Sequence, residues 1–416
     1  MVEPELVLSA RRAVEGLRVG IPNRPAVQYL GVDQPIIVTR FLSLLTDAVR
    51  REPSQEQPKG FLIEGDFGSG KSHILKWLEG TALAQGFACS KISVSKEAPP
   101  SNLTALYRAA IQEVNFPDGR MRGSLGEALE RVDRSSRRFI EFDRALSEDS
   151  SFNPLFVDTL FLSGRLIDRE SVQEIIDFWD GGPQQVAQVR RRFKEIGEYA
   201  RTSGSVTNRS IEIDRFRFAS RLLKACGYNG WVILLDEIEL VAKLGLSSRL
   251  RSYANLAALL GEKIFSDQNV TEVLTIGALT TDFRTIVFSE RNDRSYGNRY
   301  NADELLAQIS KRGIDCIQDP ANRLVIAPLD HKALSRCRRE VSNLYETAYG
   351  WSVSDIEANT SDGIESSKSL RLHIRNWITR WDLMRIYGNQ PLSVTLERLS
   401  EDLSEQEELT EDGHVS

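Results

Sequence analysis

The spacing of apolar positions divides the first part of the chain into helical stretches and strand-like runs. Residues 5–18 and 36–52 carry apolar side chains at helical intervals, and glycine and proline interrupt the pattern between them. Four short runs that follow predict strands of a sheet; they lie at 61–64, 87–95, 231–237 and 272–279, and the run at 231–237 is the most apolar. Strands that alternate with helical stretches predict an α/β fold.

The same patterns predict where the chain divides. Residues 1–55 form an N-terminal helical segment, and residues 56–324 form the α/β core. Within the core, residues 118–208 are rich in charge and scattered glycine and contain no strongly apolar strand, which predicts a helical insertion. Helical spacing predicts a small C-terminal helical domain at 325–398, and residues 399–416 read as an acidic, disordered tail.

The composition is that of a soluble protein with more than one structural unit. At 416 residues the chain is longer than the roughly 250 to 300 residues at which single cores stop growing. No run reaches the roughly 18 apolar residues of a membrane-spanning helix, and the amino terminus lacks the apolar block of a signal peptide. We therefore expect a cytoplasmic protein with no membrane partner.

Charge and cysteine usage narrow the candidate chemistry. The net charge is −6, but the tail holds seven carboxylates and no lysine or arginine, so the rest of the chain is nearly neutral. DNA binding is therefore neither supported nor excluded. The four cysteines and four histidines lack the spacing of a zinc site, which predicts buried thiols rather than metal ligands.

The stretch "GDFGSGKS" predicts a nucleotide site. Its glycines let the backbone curl between a buried strand and a helix, so that successive N–H groups point at one anion. Lys71 would reach the β- and γ-phosphates of ATP, and the hydroxyl of Ser72 would bind Mg²⁺. A glycine turn without a ligand is the alternative. The predicted contact residues are Gly65, Asp66, Phe67, Gly68, Ser69, Gly70, Lys71, Ser72 and His73.

A second motif, "VILLDEIE", predicts acidic side chains at the carboxyl end of a buried strand. Ligands bind at this end of parallel strands, so Asp236 is expected to hold the water shell of Mg²⁺. Glu237 is expected to orient or deprotonate the attacking water as the catalytic base. Glu239 is interpreted as a solvated start of the next helix, with a third site acid as the alternative.

Polar and basic residues further along extend the predicted site. Thr280 and Thr281 end the next strand and either hold the water near the γ-phosphate or turn the chain. Arg371 and Arg375 lie one helical turn apart, and Arg371 either senses the γ-phosphate or forms a surface salt bridge. An arginine offered to a neighbouring subunit would come from a set that the sequence does not narrow: Arg249, Arg251, Arg284, Arg291 and Arg312.

Four segments together carry a family resemblance. They are "RRAVEGLRVGIPNRPAV", "GDFGSGKSHILKWLEGTALAQGFACSKISVSKE", "GYNGWVILLDEIELVAKLGLSSRLRSYANLAALLG" and "YETAYGW" with the helix that follows it. The chain resembles the ATP-binding proteins of bacterial BREX-type phage-defence islands, the BrxC/BrxD-like P-loop family, from about residue 10 to residue 390. Its length is closer to that of the shorter, BrxD-like members.

The resemblance implies an AAA+-like P-loop fold with a parallel five-stranded core sheet and a helical lid. It places residues 21–24 near the adenine and gives Lys71, Ser72, Asp236 and Glu237 the roles described above. Arg371 matches the lid arginine, although the usual glycine before it is absent from "SSKSLRL". The implied ligands are ATP and Mg²⁺.

Three functions fit these features. The first is an ATPase switch or loader in an anti-phage complex, as a homo-oligomer or beside a partner such as a helicase, and with DNA as a further possible partner. The second is a DNA-binding module with little turnover that contacts phosphates through Arg11, Arg12 and Arg18 or through residues 190–194. The third is a signalling scaffold in which the insertion recognises a partner protein.

Overall fold

A computed structural model describes ten ranges of the chain; they are 4–50, 59–119, 124–130, 132–183, 186–202, 208–264, 272–299, 301–327, 330–353 and 369–388. The predicted acidic tail at 399–416 lies outside these ranges, as does part of the predicted domain at 325–398. No helix within them is long and apolar enough to cross a membrane.

Sixteen α-helices and six strands are used below. The helices are α1 (Pro4–Val19), α2 (Arg24–Leu30), α3 (Pro35–Arg50), α4 (Lys71–Ala84), α5 (Leu103–Gln112), α6 (Leu125–Glu130), α7 (Arg137–Glu148), α8 (Pro154–Ser163), α9 (Arg169–Trp179), α10 (Val186–Glu195), α11 (Asn208–Ala225), α12 (Leu246–Leu259), α13 (Thr281–Phe283), α14 (Glu304–Gln318), α15 (His331–Tyr349) and α16 (Leu370–Tyr387). The strands are β1 (Phe61–Glu64), β2 (Ala88–Ser93), β3 (Val114–Asn115), β4 (Trp231–Asp236), β5 (Leu274–Leu279) and β6 (Arg323–Val325). Three 3₁₀ turns lie at Ile238–Lys243, Asp293–Asn298 and Pro320–Asn322, and a π-helix lies at Arg284–Glu290.

The sheet is mixed and has six strands in the order β3-β2-β4-β5-β1-β6. Strand β3 runs antiparallel to β2, and the other neighbours pair in parallel. The prediction of a parallel five-stranded sheet was therefore wrong in this respect. The extra strand is only two residues long and directly follows α5, so it leaves no apolar run that could signal a strand.

Helices cover both faces of this sheet. On one face, α3 and α4 share a core with side chains of β1, β4 and β5. On the other face, α5, α11, α12 and α14 pack with the helices of residues 118–208 in one continuous core. Strand β4 is buried along its whole length, as its unbroken apolar pattern predicts for a central strand.

A third apolar cluster joins the two ends of the chain. Ala10, Ala13 and Val14 of α1 pack against Tyr345 of α15 and Trp381 of α16. Ion pairing reinforces the contact, because Arg18 at the end of α1 lies 2.8 Å from Asp382 on α16. Helices α1 and α2 therefore pack with the C-terminal helices in one cluster, while α3 packs on the sheet.

The stretch between α1 and α3 holds a helix that the sequence pattern did not predict. Asn23 caps α2 by accepting a hydrogen bond from the Ala26 amide, and Pro25 occupies its first turn. Proline is tolerated there because its missing N–H would have no partner within the helix. The proline that was interpreted as an interruption therefore helps to start a helix.

Candidate functional site

The loop between β1 and α4 has the backbone shape of an anion cradle. Gly68 and Gly70 adopt left-handed φ angles of 75° and 103°, which side chains with a Cβ adopt only with strain. Gly70 caps α4 and makes no side-chain bond to the amides of this helix end. Open N–H groups at a helix N-terminus attract negative charge. The loop therefore fits an anion such as a phosphate group.

Lys71 follows this loop as the first residue of α4 and is 8% exposed. Its Nζ donates to the carbonyl oxygen of Gly65 at 2.8 Å and to that of Asp66 at 3.1 Å. Burial lowers the pKa of the amine, while the charges of Glu239, Asp236 and Asp66 act in the opposite direction. The ammonium group is thus held among three acids, which brings Asp236 into the electrostatic environment of Lys71.

Sheet register explains why these residues meet. Strand β4 ends at Asp236 beside the end of β2, and the Glu64 position at the end of β1 pairs with Leu279 at the end of β5. The Gly65 amide continues this alignment by donating to the Leu279 carbonyl at 3.2 Å. The carboxyl ends of parallel strands share one edge, so the predicted loop and acids lie on the same side of the sheet.

Asp236 is buried, and both of its carboxylate oxygens are engaged. Oδ1 accepts from the Glu237 amide at 3.1 Å, and Oδ2 lies 2.9 Å from the ammonium group of Lys91. Glu237 is exposed and has a left-handed φ of 59°, one of two non-glycine residues with positive φ within the described ranges. Such strain is frequent at functional sites, and here it sets the direction in which the Glu237 side chain leaves the strand end.

Glu239 differs from its sequence interpretation. It was interpreted as solvated, but it is only 3% exposed, and it is the acid whose charge acts most strongly on Lys71. The 3₁₀ turn at Ile238–Lys243 brings it back toward the strand end, where a regular helix pattern was expected. A third acid therefore belongs to this cluster.

Hydroxyl groups complete the edge of the site. Thr280 is 5% exposed, and its Oγ1 has no hydrogen-bond partner among the described residues. Thr281 donates from its hydroxyl to Asp66 Oδ1 in the glycine loop. Ser69 Oγ is also buried without a hydrogen-bond partner within the described part of the chain. Buried hydroxyls in this state are expected where a ligand or a water normally binds.

A cavity of about 310 Å³ opens beside the loop. It lies between the N-terminal helices, the start of α4 and the C-terminal helices; its lining includes Leu17, Gly20, Pro22, Gly31, Asp33, Gln34, Gly70, Ser72, His73, Arg336, Cys337, Glu340 and Arg371. Residues 21–24 were predicted to lie near the adenine. Among them, Pro22 lines the cavity, whereas Ile21 is 67% exposed.

Local contacts hold the cavity walls in place. His73 Nε2 lies 2.7 Å from the Gly31 carbonyl, and burial lowers the pKa of its ring. Gln34 exchanges hydrogen bonds with the backbone of Ala327, donating at 3.2 Å and accepting at 3.0 Å. Burial raises the pKa of Glu340, and the nearby Arg336 acts against that shift. The cavity thus presents both polar and apolar walls.

The N-terminus of α16 lies directly on the glycine loop. The Arg371 amide donates to the Gly68 carbonyl at 3.2 Å, and the Arg371 guanidinium stands 5.2 Å from the centre of the Phe67 ring. A Cβ on Gly68 would come within 2.7 Å of Ser369 Oγ, so the contact requires glycine. The structure places Arg371 at the loop and at the cavity, whereas Arg375 does not line the cavity.

The other predicted arginines lie in different settings. Arg249 is buried in a bidentate ion pair with Asp293, which removes it as a contact for a neighbouring subunit. Arg284 lies 3.6 Å from Glu64, and Arg291 donates to the Ala242 carbonyl. The two exposed members of the set are Arg251 and Arg312.

Some of the basic residues considered for DNA are engaged within the molecule. Arg11 donates to the Ala348 carbonyl at 2.8 Å, and Arg18 pairs with Asp382. In the segment 190–194, Arg192 is 6% exposed and pairs with Glu174. The contacts engage Arg11, Arg18 and Arg192 and leave Arg12, Arg191 and Lys194 exposed.

The donor set fits a phosphate ligand with a hard cation. Ser72 and Asp236 offer oxygen atoms, the ligand type that Mg²⁺ prefers. The described residues contain no group of three or more His, Cys, Asp or Glu that could hold a metal alone. A cation here would take most of its ligands from phosphate and water, as Mg²⁺ does in nucleotide sites.

A comparison with known protein families shows to which family the chain belongs. The model of the BREX system ATP-binding protein BrxC/D family matches residues 54–140 and 194–361, more than half of the chain. The chain belongs to this family. The matched ranges contain the glycine loop, the strand ending at Asp236 and the residues around Thr280. No curated protein and no solved structure matches the chain.

Sequence reasoning missed three groups around the site and gave Glu239 only as an alternative. Lys91 gave no signal because a single lysine in a strand is usually solvated. Gln34 directly precedes α3 and Glu340 lies on α15, and only the tertiary packing brings these two distant parts of the chain to one cavity. The burial of Glu239 was concealed by a helix-like pattern that the chain forms as a 3₁₀ turn.

Proposed function

We propose that this chain binds ATP with Mg²⁺ and hydrolyses it, as an AAA+-like nucleotide-dependent switch in a BREX-type phage-defence complex. The observation that carries the proposal is the contact between Arg371 and Gly68, because it joins the C-terminal helices to the loop that would hold the phosphates. A nucleotide in the adjoining cavity would touch the glycine loop and the C-terminal helices at once.

The sheet supports the AAA+-like part of the proposal. Its five parallel strands run in the order β2-β4-β5-β1-β6, so the loop strand β1 lies between β5 and β6. In this arrangement the tips of β4 and β5 come beside the loop. The family description supports ATP binding and the defence role.

Each residue has a task in this mechanism. The amides around Gly70 and the ammonium group of Lys71 bind and orient the phosphates, which requires Lys71 to leave its present carbonyl partners. Ser72 and Asp236 would hold Mg²⁺, which when bound neutralises charge that develops on the phosphate oxygens. Glu237 accepts a proton from the attacking water, and the hydroxyl of Thr280 orients that water.

The lid contact gives hydrolysis a mechanical consequence. Arg371 would stabilise the terminal phosphate with its guanidinium group while its amide binds the loop. Loss of that phosphate would weaken the bond between α16 and the loop, and α1 would move with α16 because they share a core. A ligand that favours one of two states in this way shifts their populations. Partner proteins or DNA would respond to the state of the C-terminal helices.

Two measurements test this function. Calorimetry should show ATP binding by the wild type, with Mg²⁺ increasing the affinity, and a phosphate-release assay should show turnover that Glu237→Gln removes. Turnover that rises on adding duplex DNA would favour the loader. If ATP binds but neither variant nor wild type turns over, the chain is a binding switch without hydrolysis. Failure to bind ATP would refute the proposal.

A further inference from the structure

One cation near the strand tips has no task in the mechanism above. Lys91 lies on β2 and pairs in register with Leu234, two residues before Asp236 on the neighbouring strand. Side chains two apart on a strand share a face, so Lys91 and Asp236 lie on the α4 side of the sheet. The lysine stem spans the offset, and its Nζ lies 2.9 Å from Asp236 Oδ2.

The pairing satisfies a strong electrostatic requirement. The Asp236 side chain is only 5% exposed, and a buried carboxylate needs a positive partner. Lys71 does not supply one directly, because its Nζ donates to the carbonyls of Gly65 and Asp66. Lys91 therefore provides the positive charge at the carboxylate that is proposed to hold the Mg²⁺ water shell.

We propose that Lys91 is an internal counter-ion that occupies the place of the divalent cation and is displaced when Mg²⁺ arrives with ATP. This inference rests on the proposed function of the site. Oδ1 already accepts from the Glu237 amide, so a metal-bound water would compete with Lys91 for Oδ2. The ammonium and the divalent ion repel each other at one carboxylate.

The side chain of Lys91 suits such an exchange. It is 22% exposed, which leaves its flexible stem a route toward solvent, where the ammonium group is well hydrated. The exchange would keep Asp236 neutralised in both states. It would also make Mg²⁺ binding weaker than the oxygen ligands alone allow, because the lysine must first be removed.

The test is a Mg²⁺ titration of the full chain, saturated with ATP, in a solution whose free Mg²⁺ concentration is set by a chelator. Calorimetry measures the binding. Lys91→Met should lower the Mg²⁺ concentration at half-saturation by about 10-fold, since removing a like charge favours the cation. Lys91→Arg should leave the midpoint at or above the wild-type value. Lys59→Met is the matched control, because Lys59 pairs with Glu262 at the opposite end of β1 and should not change the midpoint.

A second readout separates this role from a structural one. Without ligand, Lys91→Met leaves Asp236 without its cation, so the melting temperature of this variant should lie below that of the wild type. Mg²⁺ with ATP should raise the melting temperature of the variant by more than it raises that of the wild type. If this variant does not fold, Lys91→Gln gives the same comparison, because it removes the charge but keeps a donor for Asp236.

The possible failures are distinct. An unchanged or higher Mg²⁺ midpoint in the uncharged variants, with normal ATP binding by the wild type, refutes the exchange. Weaker ATP binding in chelator by those variants would instead make Lys91 a phosphate ligand and also refute it. Absence of ATP binding by the wild type refutes the proposed function itself.

Discussion

Replacement of Lys71 by methionine should separate nucleotide binding from stability. Methionine keeps the length of the side chain but removes the ammonium group that is proposed to bind the phosphates. In the ligand-free protein, burial lowers the pKa of Lys71, so the folded state carries this charge at a cost. The variant no longer carries the free-energy cost of burying this charge, and this gain offsets the loss of the hydrogen bonds to the carbonyls of Gly65 and Asp66. The ligand-free variant should therefore melt within about 2 °C of the wild type.

The effect on binding should be much larger. A hydrogen bond to a charged group is worth about 1.5–3 kcal/mol, which corresponds to an affinity loss of about 10- to 150-fold. At ATP equal to 100 times the wild-type Kd, stabilisation is about 2.7 kcal/mol, and a hundredfold loss reduces it to about 0.4 kcal/mol. For 416 residues these values correspond to melting shifts of about 3 °C and about half a degree.

The assay is thermal unfolding with and without ATP and Mg²⁺, on the wild type, Lys71→Met and Lys76→Met. Lys76 lies on the same helix, outside the cavity lining, and pairs with the buried carboxylate of Glu79, so its variant controls for the loss of a paired charge from α4. It should keep the full ATP shift. An equal ATP shift in Lys71→Met and the wild type would refute the role given to Lys71.

Three further predictions address the rest of the site. Glu237→Gln should keep ATP affinity and lower turnover by about 10²–10⁴-fold in a phosphate-release assay, because it removes the proposed base; retained turnover would contradict this role. Arg371→Ala should lower turnover and ATP-dependent protection of the lid from protease, whereas Arg375→Ala, on the same helix but away from the cavity, should do neither; equal effects would argue for a purely structural contribution. Burial lowers the pKa of His73 below 6.5, so the folded state binds fewer protons than the unfolded state and loses stability as the pH falls below 6.5. His73→Gln should flatten that part of the stability curve, measured by denaturant unfolding between about pH 7 and pH 5, and an unchanged slope would assign it to other groups.

Local patterns predicted the parts of the fold that local sequence controls. The buried run at 61–64, the glycine loop and the apolar strand ending at Asp236 each carry a signal within a few residues, and each stands where it was expected. The two-residue strand β3 and the helix α2 were missed. Neither has a pattern of its own, because β3 depends on pairing with β2 and α2 depends on its cap at Asn23.

The site was predictable only where a motif defines it. Lys71, Ser72 and Asp236 follow from spacing and from the rule that ligands bind at the ends of parallel strands. The partnership of Lys91 with Asp236 follows from register between strands that are more than a hundred residues apart in sequence, which one sequence does not reveal. Burial near Lys71 likewise distinguishes Glu239 from a solvated helix residue.

The most direct test of the central claim is an experimental structure of the full chain with a slowly hydrolysed ATP analogue and Mg²⁺. We expect the phosphates to lie over the amides of Gly68 to Ser72 and the metal to lie between the Ser72 hydroxyl and the Asp236 carboxylate. The adenine should lie in the cavity lined by Gln34 and Glu340. An analogue bound elsewhere, or an empty loop at saturating concentration, would contradict the account.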